Sequence, residues 1–102
     1  MRDIEQLIRD WEVAAESDFP PPVVTDEERQ ALAVAFLKTQ RQRHRIHAWP
    51  ILGMSLKQTR QAVALDERMM VIQSFIDETL LVDGLEPDAQ TYIGNIKKQT
   101  KL

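Results

Sequence analysis

The 102-residue chain predicts an all-α fold, a single small domain built as a four- or five-helix bundle. Three observations carry this expectation. No run alternates apolar and polar residues as a half-buried strand does, whereas apolar positions recur at helical spacing along most of the chain. Residues that start or stop helices punctuate that pattern at Asp3, Thr25, Ser55 and Gly84. An apolar share of 43% over this length suits one modest core. The expected division is a first amphipathic helix over 1–17, a proline-rich connector over 18–24 and the remaining helices over 25–102.

Asp3 caps the first helix, which runs to about Ser17. Ile4, Leu7, Ile8, Trp11 and Ala15 form one stripe of a 3.6-residue repeat, with Arg2, Glu5, Arg9, Asp10 and Glu12 on the other faces. An isolated helix of this length is marginal in water, so the stripe must pack on something. In DFPPPVV, Pro20 to Pro22 fix φ and remove three donors, which makes a stiff strut.

Thr25 to Glu28 is a capping box, in which the Thr hydroxyl takes one free amide and the Glu carboxylate reaches back for another. The second helix is expected from about Asp26 to His47, with Leu32, Ala35, Phe36, Thr39 and Ile46 inward. Pro50 stops it, and Trp49, Ile51 and Leu52 of WPILGM are expected in the core. Ser55 and Gln58 form a second capping box and open a third helix through about Ala64. A break or kink is expected near Ala64 to Asp66. Residues 67–82 are the most apolar helix, either central to the bundle or half-covered and open to a partner. The last helix runs from about Asp88 to Lys98, with Tyr92, Ile93 and Ile96 inward.

Several function classes fall away. No cysteine means no disulfide, thiolate metal site or cysteine nucleophile. The start, MRDIEQLIRDW, lacks the apolar core of a signal peptide, and no apolar run approaches the ~18 residues of a membrane span. The expected setting is therefore cytoplasmic, without membrane association. The three glycines are scattered, and no GxGxxG, GxxxxGKS or HExxH pattern occurs. The carboxylates have capping or surface roles, so no catalytic residue and no cofactor are expected. His44 and His47 have the spacing of two metal ligands, but Arg43 and Arg45 beside them repel a cation, and no metal site is expected.

Charge is sharply partitioned. Residues 1–28 hold nine acids against Arg2 and Arg9, residues 29–65 hold seven cations and no acid, and residues 66–102 hold seven acids and four bases. The acidic flanks could fold back and neutralise the middle. Together these features predict a small non-enzymatic protein that binds another protein or itself, as adaptor, inhibitor or regulatory subunit. The expected contacts are Trp11, Met69, Met70 and Asp83, methionine being adaptable at irregular surfaces. The alternative is a nucleic-acid-binding regulator using Lys38, Arg41, Arg45, Lys57 and Arg60. In that reading the second and third helices form a helix-turn-helix, with Gln58, Thr59 and Gln61 reading bases.

The turn LLVDGLEPDAQTY has a local reason for each residue. Gly84 suits the left-handed position after a helix, Leu85 packs back on Leu80 or Leu81, and Pro87 fits the first turn of the next helix. GLEPDAQTY also resembles the junction between two pentatricopeptide repeats, although no earlier unit recurs at that family's period. Thr79 to Pro87 resembles the inhibitory helix of small antitoxins of Fic-type AMP-transferring enzymes: Ser/Thr, three residues, Glu, then Gly or Asn. Asp83 stands where that family has Glu, one methylene shorter. The resemblance implies inhibition of a Fic-type partner through the helix ending at Asp83-Gly84.

Overall fold

Side-chain oxygens set where the helices begin. In the computed structural model, which describes residues 2–48 and 55–100, the helices are α1 (Ile4–Glu16), α2 (Asp26–Ala48), α3 (Leu56–Val82) and α4 (Ala89–Thr100). Asp3 caps α1. At α2 the Glu28 amide donates to Thr25 Oγ1 at 3.1 Å, and the Thr25 amide donates to Glu28 Oε1 at 3.0 Å. Ser55 and Gln58 repeat the reciprocal pair at α3, at 3.2 and 2.9 Å. Asp88 accepts from the Thr91 amide at 3.2 Å and so caps α4. Pro87 therefore precedes the cap and does not sit in the first turn as expected. The docking expected of Trp49, Ile51 and Leu52, and the stop at Pro50, lie outside the described residues.

α3 is one helix of 27 residues, continuous through Ala64 to Asp66, where a break was expected. Residues 56–82 contain neither Gly nor Pro and are rich in good helix formers. Asp66 does not cap a new helix. It accepts from Arg43 Nε of α2 at 2.9 Å. The described residues thus form four helices, not five, and no strand.

α2 and α3 run antiparallel, because Arg29 near the start of α2 meets Thr79 near the end of α3 while Arg43 meets Asp66. α1 lies along α3 in the same direction. Glu5 pairs with Arg68, and Trp11 stacks on Phe75 with centroids 5.3 Å apart and planes 13° from parallel. α4 packs on α2 and α3, and among the described residues α1 and α4 do not touch. Leu7, Leu32, Ile72, Phe75 and Ile76 are fully buried where α1, α2 and α3 meet, each contributing roughly 1.5–3 kcal/mol of apolar transfer. At the end of α1 it is Ala14, not Ala15, that is buried, seven residues on from Leu7. In α2, Leu32 and Thr39 are buried as expected, joined by Ala33 and Leu37, while Ala35, Phe36 and Ile46 are half-buried. α2 is pressed by both α3 and α4, which widens its buried face. A 27-residue helix spans about 40 Å, which accounts for a longest dimension of 47 Å.

The turn after α3 is the stop expected. The Gly84 amide donates to the Leu81 carbonyl at 3.1 Å and the Leu85 amide to the Leu80 carbonyl at 2.9 Å, with Gly84 at φ +74°. Leu85, expected to pack back on Leu80 or Leu81, is 51% exposed. A Cβ at Gly84 or Gly94 meets nothing within 4 Å, so backbone conformation alone decides either substitution. Gly84→Ala should lower stability by about 1 kcal/mol. Gly94→Ala, inside α4, should raise it by about 0.5–1 kcal/mol. Urea unfolding of both variants checks the opposite signs.

Glu28 is buried beneath Arg2, whose Nε donates to it at 3.0 Å and whose amide donates at 3.2 Å. The Arg2 guanidinium, with the Thr25 amide, holds the Glu28 carboxyl at about 2 against the burial that pushes it up. A depressed carboxyl contributes its full stability above the unfolded value near 4.5, and that contribution is lost as pH falls towards about 2. Because Arg2 is partly exposed, the loss should be about 2 kcal/mol. Urea unfolding between pH 5 and pH 2 should show this slope, and Glu28→Gln should flatten it.

Candidate functional site

Two concave surfaces, which share no lining residue, hold the candidate sites. The first is an apolar cleft of about 600 Å³ where the end of α1, the proline connector and the end of α3 converge. Trp11 lies against Phe75 and donates from Nε1 to Glu78, so its ring is held in place where it lines the cleft. Phe19, Leu81 and Val82 stand around it, 67%, 63% and 56% exposed. The prolines explain Phe19: the connector cannot coil back to bury it, and Asp18 turns the chain away at φ +55°. Asp18 and Glu78 give the rim two carboxylates.

The sequence placed the contact at Trp11, Met69 and Met70. Trp11 does line the cleft, but the two methionines do not; Met69 is half-buried, and Met70, 67% exposed, lies earlier on α3, about two turns before Glu78. Met70 shares an outer strip with Val63 and Leu56, each seven residues apart and so close to two turns. The cleft residues missed include Asp18, Phe19, Glu78, Leu81 and Val82. Phe19, an aromatic just ahead of three prolines, was the available signal.

The second surface is a groove of about 360 Å³ between α2 and α4, lined by Leu37, Lys38, Gln40, Arg41, His44 and Lys97. Lys38 and Arg41 are two of the cations expected to contact nucleic acid; Lys97 was missed, because α4 brings it there through packing. Arg45 follows on the same side of α2, and Lys57 and Arg60 lie in the first turns of α3, all exposed. Among the described residues none of Lys38, Arg41, Arg45, Lys57 and Arg60 makes an ion pair. The acidic flanks do neutralise two of the seven cations of the middle segment, Arg29 through Asp26 and Asp83 and Arg43 through Asp66, and otherwise pair with Arg2 and Arg68. A helix-turn-helix does not form here. Ser55 to Ala64 is the opening of α3, antiparallel to α2, and Gln58 and Thr59 bond back to Ser55. No group of three metal-ligating side chains gathers among the described residues, and no described helix is long and apolar enough to cross a membrane.

Asp83 is engaged within the chain. It caps the end of α3 and pairs with Arg29 Nη2, while Thr79, almost wholly buried, accepts from Arg29 Nε at 3.0 Å. Thr79 and Asp83, two positions of the antitoxin-like pattern, thus bind this chain's own arginine. No known protein family, curated protein or solved structure matches the chain. The likenesses at residues 79–92 therefore rest on those residues alone.

Arg29 is 2% exposed and bonded on all three nitrogens, to Thr79, Asp26 and Asp83. Arg29→Ala should cost about 2–3 kcal/mol, and Asp83→Asn about 1 kcal/mol, since Asp83 is partly exposed. Thermal unfolding of the two variants checks that order.

Proposed function

We propose that the chain is a non-enzymatic protein-binding domain, an adaptor, inhibitor or regulatory subunit. Its partner seats an apolar side chain, flanked by Lys or Arg, in the cleft between α1 and α3. The observation that supports this is the exposure of Phe19, Leu81 and Val82 around one concavity floored by Trp11. A small domain leaves such a contiguous apolar surface uncovered chiefly where another molecule covers it. Trp11 suits an anchoring role, because its ring is already immobilised by Phe75 and Glu78 and loses little freedom on contact. The carboxylates of Asp18 and Glu78 select a partner whose apolar side chain stands beside a cation and oppose an acidic one.

Affinity capture from the native cell tests this with three baits: the wild-type chain, Phe19→Ser/Leu81→Ser and Val63→Ser/Met70→Ser. A protein held by the first and third baits and lost from the second is the expected result. Equal capture by all three removes the cleft from the binding surface. A wild-type chain that light scattering shows to be a dimer, split by Phe19→Ser/Leu81→Ser, puts a second copy in the cleft instead.

A further inference from the structure

We propose that the groove between α2 and α4 binds the phosphate backbone of a single nucleic-acid strand. Its walls carry Lys38, Arg41 and His44 from α2 and Lys97 from α4, with Gln40 beside them and Leu37 in the floor. No acid lines it, and none of its lysines or arginines makes an ion pair among the described residues. The positive potential there is consequently not spent inside the molecule.

The spacing suits a strand. Lys38, Arg41 and Arg45 step along one side of α2 by three and four residues, or about 4.5 and 6 Å, and successive phosphates of a strand are about 3.4 Å apart along the helix axis of a duplex and farther when extended. Lys97 faces this row from α4, so a backbone lying in the groove meets cations on both sides. His44 is exposed within the groove and offers a flat ring on which a base can stack without regard to sequence.

Two comparisons decide between ligand classes. An acidic protein segment would gain little, because among the described residues the only apolar side chain in the groove is the buried Leu37, and exposed ion pairs contribute about 0–1 kcal/mol each. A polyphosphate strand gains from the release of its condensed counterions at every neutralised phosphate, with no apolar anchor needed. A duplex fits worse than a strand. A helix reads the major groove when it projects from the surface, and here α4 flanks α2 at Lys97.

The test is fluorescence anisotropy with a labelled 12-nucleotide oligothymidylate, comparing the full chain with Lys38→Gln/Arg41→Gln/Lys97→Gln. All three positions are exposed, and circular dichroism of the variant confirms its helices. Binding by the wild-type chain at 50 mM salt should weaken steeply by 200 mM. The triple variant should bind at least about tenfold more weakly at 50 mM, and its log–log salt slope should be smaller by about 2. Phe19→Ser/Leu81→Ser should bind the strand as the wild type does, which separates this surface from the cleft. Absence of binding at 50 mM overturns the proposal, as does an unchanged affinity in the triple variant. Thymidine monophosphate binding as tightly as the oligonucleotide would assign the groove to free phosphate esters and overturn the strand. Displacement of the oligonucleotide by polyglutamate at equal charge concentration would overturn it in favour of an acidic protein.

Discussion

The arrangement of the four helices depends on one buried cation. Arg29 sits in the first turn of α2, where its guanidinium is closed off from solvent. Its donors go to Thr79 Oγ1 at 3.0 Å, the Thr79 carbonyl at 3.1 Å, Asp26 at 3.2 Å and the Asp83 carboxylate. A buried guanidinium stripped of such partners is strongly destabilising. Three of these acceptors belong to the last turn of α3 and the residue that caps it, the end where the helix dipole favours a positive charge. They coincide with Arg29 at one register of the hairpin only. Sliding α3 by one turn, about 5.4 Å, would leave the cation without acceptors. Apolar packing between two long helices tolerates some sliding, but this charge does not.

With that register set, the remaining helices follow from neighbouring residues. Glu28 precedes Arg29, and consecutive positions on a helix point about 100° apart. The pair therefore faces two ways, Arg29 towards α3 and Glu28 towards the segment before α1, where Arg2 meets it. At the other end of the contact, the Schellman turn at Gly84 sends the chain back across the hairpin. Asp77 of α3 then takes the first amide of α4, from Ala89, at 2.7 Å. One turn of α2 and two turns of α3 thus determine how α1 enters and how α4 leaves.

What could be read from the sequence divides along the range of the forces involved. Capping is local, and Asp3, Thr25, Ser55 and Gly84 announced their helix ends correctly because each bonds within a few residues of itself. The continuity of α3 was not legible. Asp66 can open a helix or decorate one; the helix formers around it favour continuity, and its partner Arg43, twenty-three residues away, occupies the carboxylate that would have capped a new helix. Arg29 read as one more cation in an acid-free stretch, and its burial comes from Thr79, fifty residues on. The candidate surfaces show the same division. Spacing along one helix put Lys38 and Arg41 together, whereas the cleft draws on three segments, so Trp11 was found while Phe19 and Leu81 were not.

The charge partition also acquires a physical meaning in three dimensions. A chain of net charge −3 is an unpromising polyanion receptor if charge is averaged over the molecule. Salt in the cell, however, limits each charge's influence to a Debye length of about 8 Å, and the molecule measures 23 Å across its thinnest direction. The unpaired cations of α2 and α4 border one groove, while Asp18 and Glu78 border the cleft formed by α1, the connector and α3. The two concavities share no residue, and α1 and α4 do not meet among the described residues. An approaching anion thus responds to the local sign of the face it meets, and occupation of one face leaves the other open. Five acids, Glu28, Asp26, Asp83, Asp66 and Glu5, are instead held by Arg2, Arg29, Arg43 and Arg68. The ion pairs among the described residues thus join the helices to one another, and the cations bordering the groove take part in none of them.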